Sequence, residues 1–390
     1  MTTTFAALGV SPDLVAALER DGIAEPFPIQ ALTVADGLAG RDLCGRAKTG
    51  SGKTLAFGLP LLDRVGKADP RRPRALVLVP TRELANQVKT VLAPLGRIRE
   101  RRVTAVYGGV SMEPQINALR KGTDVVFGTP GRLIDLMERT ELSVAAVEVL
   151  VLDEADRMAD MGFMPQVQKL LHRIESEHQT MLFSATLDGA VKRLVDRYMH
   201  DPVFHTVDSD EPTVEEMEHR FLHVHQMDRV KVAAAITEGV DRTLVFVRTK
   251  RGADRLVTQL RREGVRAGAI HGDLRQNARE KALADFSSGK LPVLVATDVA
   301  ARGLHIDAVD VVIHYDPADD HKAYLHRSGR TARAGATGVA VTLMLWNQEN
   351  DVRLVQKRLE LDEPIVEVFS NDPRLADVHS FEERAEAGVA

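Results

Sequence analysis

The chain has 390 residues, 44% of them apolar and 27% charged, with a formal net charge of -5. That length calls for two domains of ordinary size, and no apolar run approaches the roughly 18 residues that a membrane span needs. The opening MTTTFAALGV lacks the basic and apolar regions of a secretory leader, so a cytoplasmic protein is expected. The single cysteine, Cys44, excludes an internal disulfide and a thiolate metal cluster. Its setting in DLCGRA reads as a small buried hydrophobe.

The negative charge is concentrated. Asp208, Asp210, Glu211, Glu215, Glu216 and Glu218 crowd one stretch without Lys or Arg, and residues 371–390 hold five acids against two bases. The remainder is mildly basic, which suits a local phosphate-binding groove but not a strongly cationic binder.

In chain order, a helical pattern leads through DLCGR to the glycine-rich AKTGSGKT (47–54) and then to the apolar helix LAFGLPLLDRV. RALVLV (74–79), VTAVY (103–107), DVVFG, VEVLVLDEAD and TMLFSAT follow as short β-branched runs. They lack period-two alternation and end in turn residues, as parallel strands buried on both faces do. Helical stretches such as TRELANQVKTVLAPL lie between them. After the acidic, Pro-containing connector, HRFLHVHQ reads as a strand and the rhythm restarts with RTLVFV, RAGAI, LPVLVATD, VDVVIHY and TGVAVTLML. Beyond about Asn371 apolar periodicity fades. The expected organisation is a first α/β domain over 1–207, an acidic linker over 208–218, a second α/β domain over 219–370 and a flexible acidic tail over 371–390.

A glycine-rich loop that enters a helix presents backbone N–H groups and a positive dipole end to phosphates. Thr49, Gly50, Ser51 and Gly52 would cradle them, Lys53 would reach the β- and γ-phosphates, and Thr54 would ligate Mg²⁺. The strict pattern wants Gly where Ala47 stands, and a chance GKT turn is the rival. Asp153 and Glu154 close an apolar strand, the end of an open α/β sheet where ligands bind. Asp153 suits Mg²⁺ held through its waters, and Glu154 suits a base for the attacking water; helix capping is the bland alternative, at even odds without the phosphate loop. HRSGRTARAG (326–335) spaces Arg327, Arg330 and Arg333 three apart, on one face of a helical turn. An arginine cluster is usually a solvated face, but here a cation for transition-state charge is the missing ingredient.

PFPIQ (26–30), AKTGSGKT, PTRELA (80–85), GG (108–109), TPGR (129–132), DEAD (153–156), SAT (184–186), LVFVRTK, HGD (271–273), QNAR (276–279), ATDVAARG (296–303) and HRSGRTAR run in one order. In that order they resemble the DEAD-box ATP-dependent RNA helicases, from Phe5 to about Gly335. The resemblance implies two tandem RecA-like, P-loop-type parallel-sheet domains, with ATP and Mg²⁺ as cofactors and ATP hydrolysed between the domains. It implies that Gln30 reads adenine through its N6 and N7 edge, with Phe5 bracing a motif that spans 5–30. Arg330 and Arg333 would act in catalysis with Lys53 and Glu154, and Ser184, Thr186 and Asp156 would relay the state of the acids to the RNA side. Thr81, Arg82, Gly109, Thr129 and Arg132 in the first domain, with Arg248, Gln276, Arg279 and Thr297 in the second, would contact RNA phosphate and sugar. With 4% aromatic residues, stacking platforms are scarce. Binding of single strands and short duplexes should show little sequence preference.

Three departures stand out. Ile23 occupies the place where the family usually has an aromatic against the adenine, Ala332 replaces a glycine, and His305 replaces an Asp that accepts from the ribose. Asp307 is close to His305 in sequence. His219, His223 and His225 are expected to face solvent from their strand rather than to hold zinc. Two readings of the whole share every motif: an RNA-stimulated ATPase that separates short duplexes, and an ATP-gated RNA clamp. A DNA translocase is disfavoured by DEAD with PFPIQ. Protein partners from ribosome assembly or RNA decay are compatible with the resemblance.

Overall fold

The computed structural model describes residues 3–47, 51–207, 217–301, 306, 309–331 and 338–381. The chain divides into two compact units, Met1–Ser209 and Asp210–Ala390. In the first, β1 (Leu43–Arg46), β2 (Ala75–Leu78), β3 (Val103–Val106), β4 (Val125–Gly128), β5 (Val149–Asp153), β6 (Gln179–Ser184) and β7 (Val203–Thr206) form one sheet in the order β3-β4-β2-β5-β6-β1-β7. In the second, β8 (Met217–Val224), β9 (Thr243–Phe246), β10 (Ala267–Ile270), β11 (Val293–Ala296), β12 (Val311–His314), β13 (Gly338–Met344) and β14 (Ile365–Val368) take the order β10-β11-β9-β12-β13-β8-β14. Every pairing in both sheets is parallel. The two orders match strand for strand, so one topology is used twice.

The absence of alternation in the sequence has a direct cause. Val77 and Val151 enter one apolar cluster of the first unit, while their neighbours Leu76, Leu78, Leu150 and Leu152 enter another. The second unit repeats the device, with Val245 and Val295 in one cluster and Leu244, Phe246 and Leu294 in another. Helices cover both faces, so successive residues along such a strand are apolar. Cys44 lies fully buried in the first unit, where burial pushes its thiol up to about 12.

Three strands carry no such signal. β1 reads Leu-Cys-Gly-Arg, and β7 and β14 bury no side chain fully except Val368, with Phe204, Thr206 and Glu367 exposed. Gly45 in β1 is there for room, because a Cβ would stand 2.6 Å from the Phe183 ring on the paired β6. A glycine required by a neighbour's bulk erases the pattern that would have marked the strand.

Residues 208–216 of the expected linker lie outside the described residues; Met217 and Glu218 already belong to β8. The expected flexible tail needs correction over its first part. Leu375, Val378 and Phe381 are buried in the second unit's core, and Arg374 stacks on the Phe381 ring at 4.7 Å. Three apolar side chains among acids are enough to dock eleven residues, which the local loss of periodicity hid. Residues 382–390 are outside the described set. The expectation for the histidines also fails for two of three: His219 and His223 are buried and only His225 is exposed. His219 Nδ1 meets the buried Tyr324 hydroxyl at 2.7 Å, a partner from a helix a hundred residues away in sequence. No cluster of potential metal ligands occurs among the described residues, nor is any helix there long and apolar enough to cross a membrane.

Candidate active site

β1 delivers the chain to the glycine-rich loop at the carboxyl end of the first sheet. Of the loop, residues 48–50, including Thr49 and Gly50, lie outside the described residues. Gly52 adopts φ 86° and starts the helix Lys53–Arg64, with Thr54 on its first turn. The buried Lys53 amine donates to the Ala47 carbonyl at 3.0 Å. An ammonium held over a turn that opens a helix is placed for a phosphate.

The adenine candidate joins this loop. Gln30 Nε2 donates to the Gly52 carbonyl at 2.8 Å, and its Oε1 accepts the Phe27 N–H at 2.9 Å. Each group retains one further hydrogen-bond position, but the residue is 1% exposed. Reading a base therefore requires that its cover move. Phe5 is also 1% exposed and shares a core cluster with Ile29. The resemblance groups Phe5 with the cofactor-binding residues through that bracing role; its side chain, like that of Gln30, is covered by the fold.

Asp153 and Glu154 end β5, beside β6 and near Lys53. Asp153 is 2% exposed, and its Oδ1 has no hydrogen-bond partner among the described residues. Burial, opposed by the Lys53 ammonium and reinforced by Glu154, pushes this carboxyl up to about 7. An orphaned buried carboxylate oxygen is a poor structural device and a good metal ligand, so the residues present fit Mg²⁺. Glu154 occupies the left-handed region at φ 54°, ψ 51°, a conformation that costs a side-chain-bearing residue about 1–3 kcal/mol. Arg157 Nη1 holds its carboxylate at 2.7 Å.

The next acid reaches β6. Asp156 N–H donates to Ser184 Oγ at 3.2 Å, and the Asp156 carboxylate accepts the Ala185 N–H at 3.2 Å. This reciprocal clasp joins two of the three residues expected to relay between sites. Thr186 is exposed just beyond it.

The RNA candidates of the first unit leave three adjacent strands. Thr81 and Arg82 follow β2, Gly109 follows β3, and Thr129 and Arg132 follow β4. Thr81 caps its helix by accepting the Leu84 N–H at 3.2 Å, and Arg82 pairs with Glu83. Gly109 takes φ 81°, and a Cβ there would stand 2.7 Å from Arg82 Nη1. Arg132 Nη2 donates to the Val110 carbonyl at 3.2 Å. The structure thus gathers these five into one set of loops.

In the second unit the same three sheet positions, β9, β10 and β11, precede Arg248, the helix Gln276–Ser287 and Thr297. Arg248 is exposed and pairs with Asp319 at 2.8 Å. Arg279 and Thr297 are buried, and the Gln276 side chain is outside the described residues. Sequence reading passed over Thr249. It follows β9 as Thr81 follows β2, and it caps its helix in the same way, accepting the Gly252 N–H at 3.0 Å; the shared Thr-Arg and Thr-Lys steps after matching strands were the available signal.

Arg327 and Arg330 do not share a helix, because the helix His321–Ser328 ends before Arg330. Arg327 is fully committed within the fold. It grips Asp298 with Nε at 2.6 Å and Nη2 at 2.7 Å, and its Nη1 donates to the Asp316 carbonyl. Arg330 is buried in the following turn. Arg333, Ala332, His305 and Asp307 lie outside the described residues.

Residues 27–194 match the DEAD/DEAH box helicase family and residues 224–335 match the helicase conserved C-terminal domain. The chain is 42% identical over 359 residues to the DEAD-box ATP-dependent RNA helicase CshA of Bacillus licheniformis, covering 92% of this chain and 74% of that one. The chain belongs to the DEAD-box RNA helicases. The CshA of Bacillus subtilis is 41% identical over the same length. Among solved structures, this DEAD-box chain is similar to S. cerevisiae Dbp5 bound to RNA and ADP BeF3, with TM-score 0.77 and 29% identity over 95% of this chain and 96% of that one. It is also similar to a DEAD box protein from Methanococcus jannaschii, with TM-score 0.51 and 33% identity over 94% of this chain and 99% of that one. The RecA-like α/β fold expected for both DEAD-box halves is the fold observed.

Proposed function

We propose that this DEAD-box protein binds single-stranded RNA and short duplexes through their backbone and unwinds or remodels them locally, hydrolysing ATP at the carboxyl ends of β1 and β5. One observation carries the catalytic assignment: a buried Asp153 oxygen that has no partner among the described residues and feels the Lys53 ammonium, on the strand next to β2. Lys53 neutralises phosphate charge, and Thr54 and Asp153 would hold Mg²⁺. Mg²⁺ held there would supply positive charge against the phosphates. Glu154 takes the proton of the attacking water, and its strained backbone fixes where that carboxylate points.

Arg330 and Arg333 of the second unit supply positive charge to the transition state, worth about 10³–10⁵ in rate where such arginines act. Asp156 and Ser184 carry the state of the acids to β6. Thr81, Arg82, Gly109, Thr129 and Arg132, with Arg248, Thr249, Gln276, Arg279 and Thr297, bind phosphate and sugar, so sequence preference is weak. The decisive test is the ATPase rate against several RNAs and matched DNAs. RNA-specific stimulation without sequence preference is expected; equal stimulation by DNA refutes the substrate assignment.

A further inference from the structure

Phe27 is 57% exposed in a chain that buries most of its phenylalanines. Its position is set by two backbone bonds: its N–H is held by Gln30 Oε1, and its carbonyl accepts the Ala31 N–H at 2.9 Å. The ring points to the glycine-rich loop, since a Cβ on Gly52 would stand 2.6 Å from Phe27 Cδ2 and would also strike the Gln30 amide. The ring edge, the Gln30 amide and the loop backbone therefore converge on one glycine that has no side chain to keep them apart. Ile23, the other apolar residue of this turn, is directed elsewhere: it packs against the first unit's core, and its N–H bonds to the Leu18 carbonyl at 2.8 Å.

An exposed ring costs free energy in water unless something covers it. Here the adjacent groups are an amide with purine-edge complementarity and a phosphate-binding loop. We propose that Phe27 is the base-packing residue of the nucleotide site, its ring moving off Gln30 to lie against the purine when ATP enters. Every purine has a π-face, so this contact adds affinity without choosing between bases, and Gln30 makes the choice.

The inference rests on the reading of the loop as an ATP site, and inorganic tripolyphosphate separates the two. It engages Lys53 and the loop but has no base. Phe27→Ala is expected to weaken ATP binding about 5- to 150-fold, the range for a lost base–aromatic contact, and to leave tripolyphosphate affinity unchanged by calorimetry. Phe27→Tyr should retain ATP affinity, whereas Phe27→Leu, which keeps apolar bulk without a ring, should lose most of it. ATP affinity that is unchanged in Phe27→Ala overturns the proposal. So does tighter binding, which makes Phe27 only a cover over Gln30. If Phe27→Ala loses tripolyphosphate as well, the Tyr and Leu variants decide, and equal ATP affinity in those two overturns it. Failure of the unaltered protein to bind either compound refutes the ATP site itself.

Discussion

A carboxyl group buried beneath a lysine has two ways to be tolerated: it takes a proton or it meets a cation. Asp153 is pushed to about 7, chiefly by burial. Its folded value lies above its unfolded one, so its contribution to stability is complete below about pH 4 and is lost as pH rises towards about 7. Asp153→Asn removes that loss. The variant should melt at a higher temperature than the unaltered protein, with an advantage that widens between about pH 4 and about pH 7 and then levels. Its Mg²⁺-dependent ATP hydrolysis should vanish. Thermal melts across pH check the first part, and an advantage independent of pH would mean that Asp153 does not titrate there. Glu154→Gln separates chemistry from binding at the next residue: the amide keeps the shape but takes no proton. Turnover should collapse while a fluorescent nucleotide binds as before; lost nucleotide binding would remove Glu154 from the role of base.

At the scale of elements, the legible strands were those buried on both faces, because short continuous Val, Leu and Phe runs suit a strand covered on both sides. β1 was not legible, although it leads into the glycine-rich loop, since Gly45 yields its volume to Phe183. The candidate site was legible where chemistry fixes residue type, at Lys53 and Asp153, and less so where the fold decides what is left over. Arg327 looked equivalent to Arg330, but only the tertiary structure brings Asp298 to it. Phe27 was hidden for the opposite reason, since an apolar residue between two prolines reads as packing until its exposure is known. The docked segment around Phe381 gives an element-scale test. Phe381→Ala should destabilise the second unit by about 3–5 kcal/mol, as loss of a buried aromatic does. Gly239→Ala should act on the same contact, because its new Cβ would meet the Ala376 carbonyl oxygen. Urea unfolding of the two variants checks this. Unaltered midpoints would return the segment to the status of a loose tail.

At the scale of the molecule, one seven-strand topology occurs twice but is used differently. Both sheets send RNA candidates from the same three positions, β3-β4-β2 in one and β10-β11-β9 in the other. Only the first has a glycine-rich loop after the strand next to its outer edge; β8 holds that place in the second and is followed by no such loop. The proposed function draws catalytic groups from both units, Glu154 from one and Arg330 and Arg333 from the other, and RNA contacts from both as well. Either ligand then orders groups that the other uses, and thermodynamic linkage makes the effect reciprocal. Saturating single-stranded RNA should tighten a non-hydrolysable ATP analogue, and the analogue should tighten RNA by the same factor, with coupling of about 1–3 kcal/mol. Arg330→Ala should shrink that coupling and reduce turnover far more than it weakens ATP alone, because the first unit holds the phosphates without it. Raised salt should weaken RNA binding in every variant, as phosphate contacts require, while leaving the coupling of the unaltered protein in place. The measurement is a pair of titrations, analogue with and without RNA and RNA with and without analogue. Equal analogue affinity in the presence and absence of RNA would show that the two units do not share a catalytic state, and Arg330 would then have to be reassigned to the packing of its own turn.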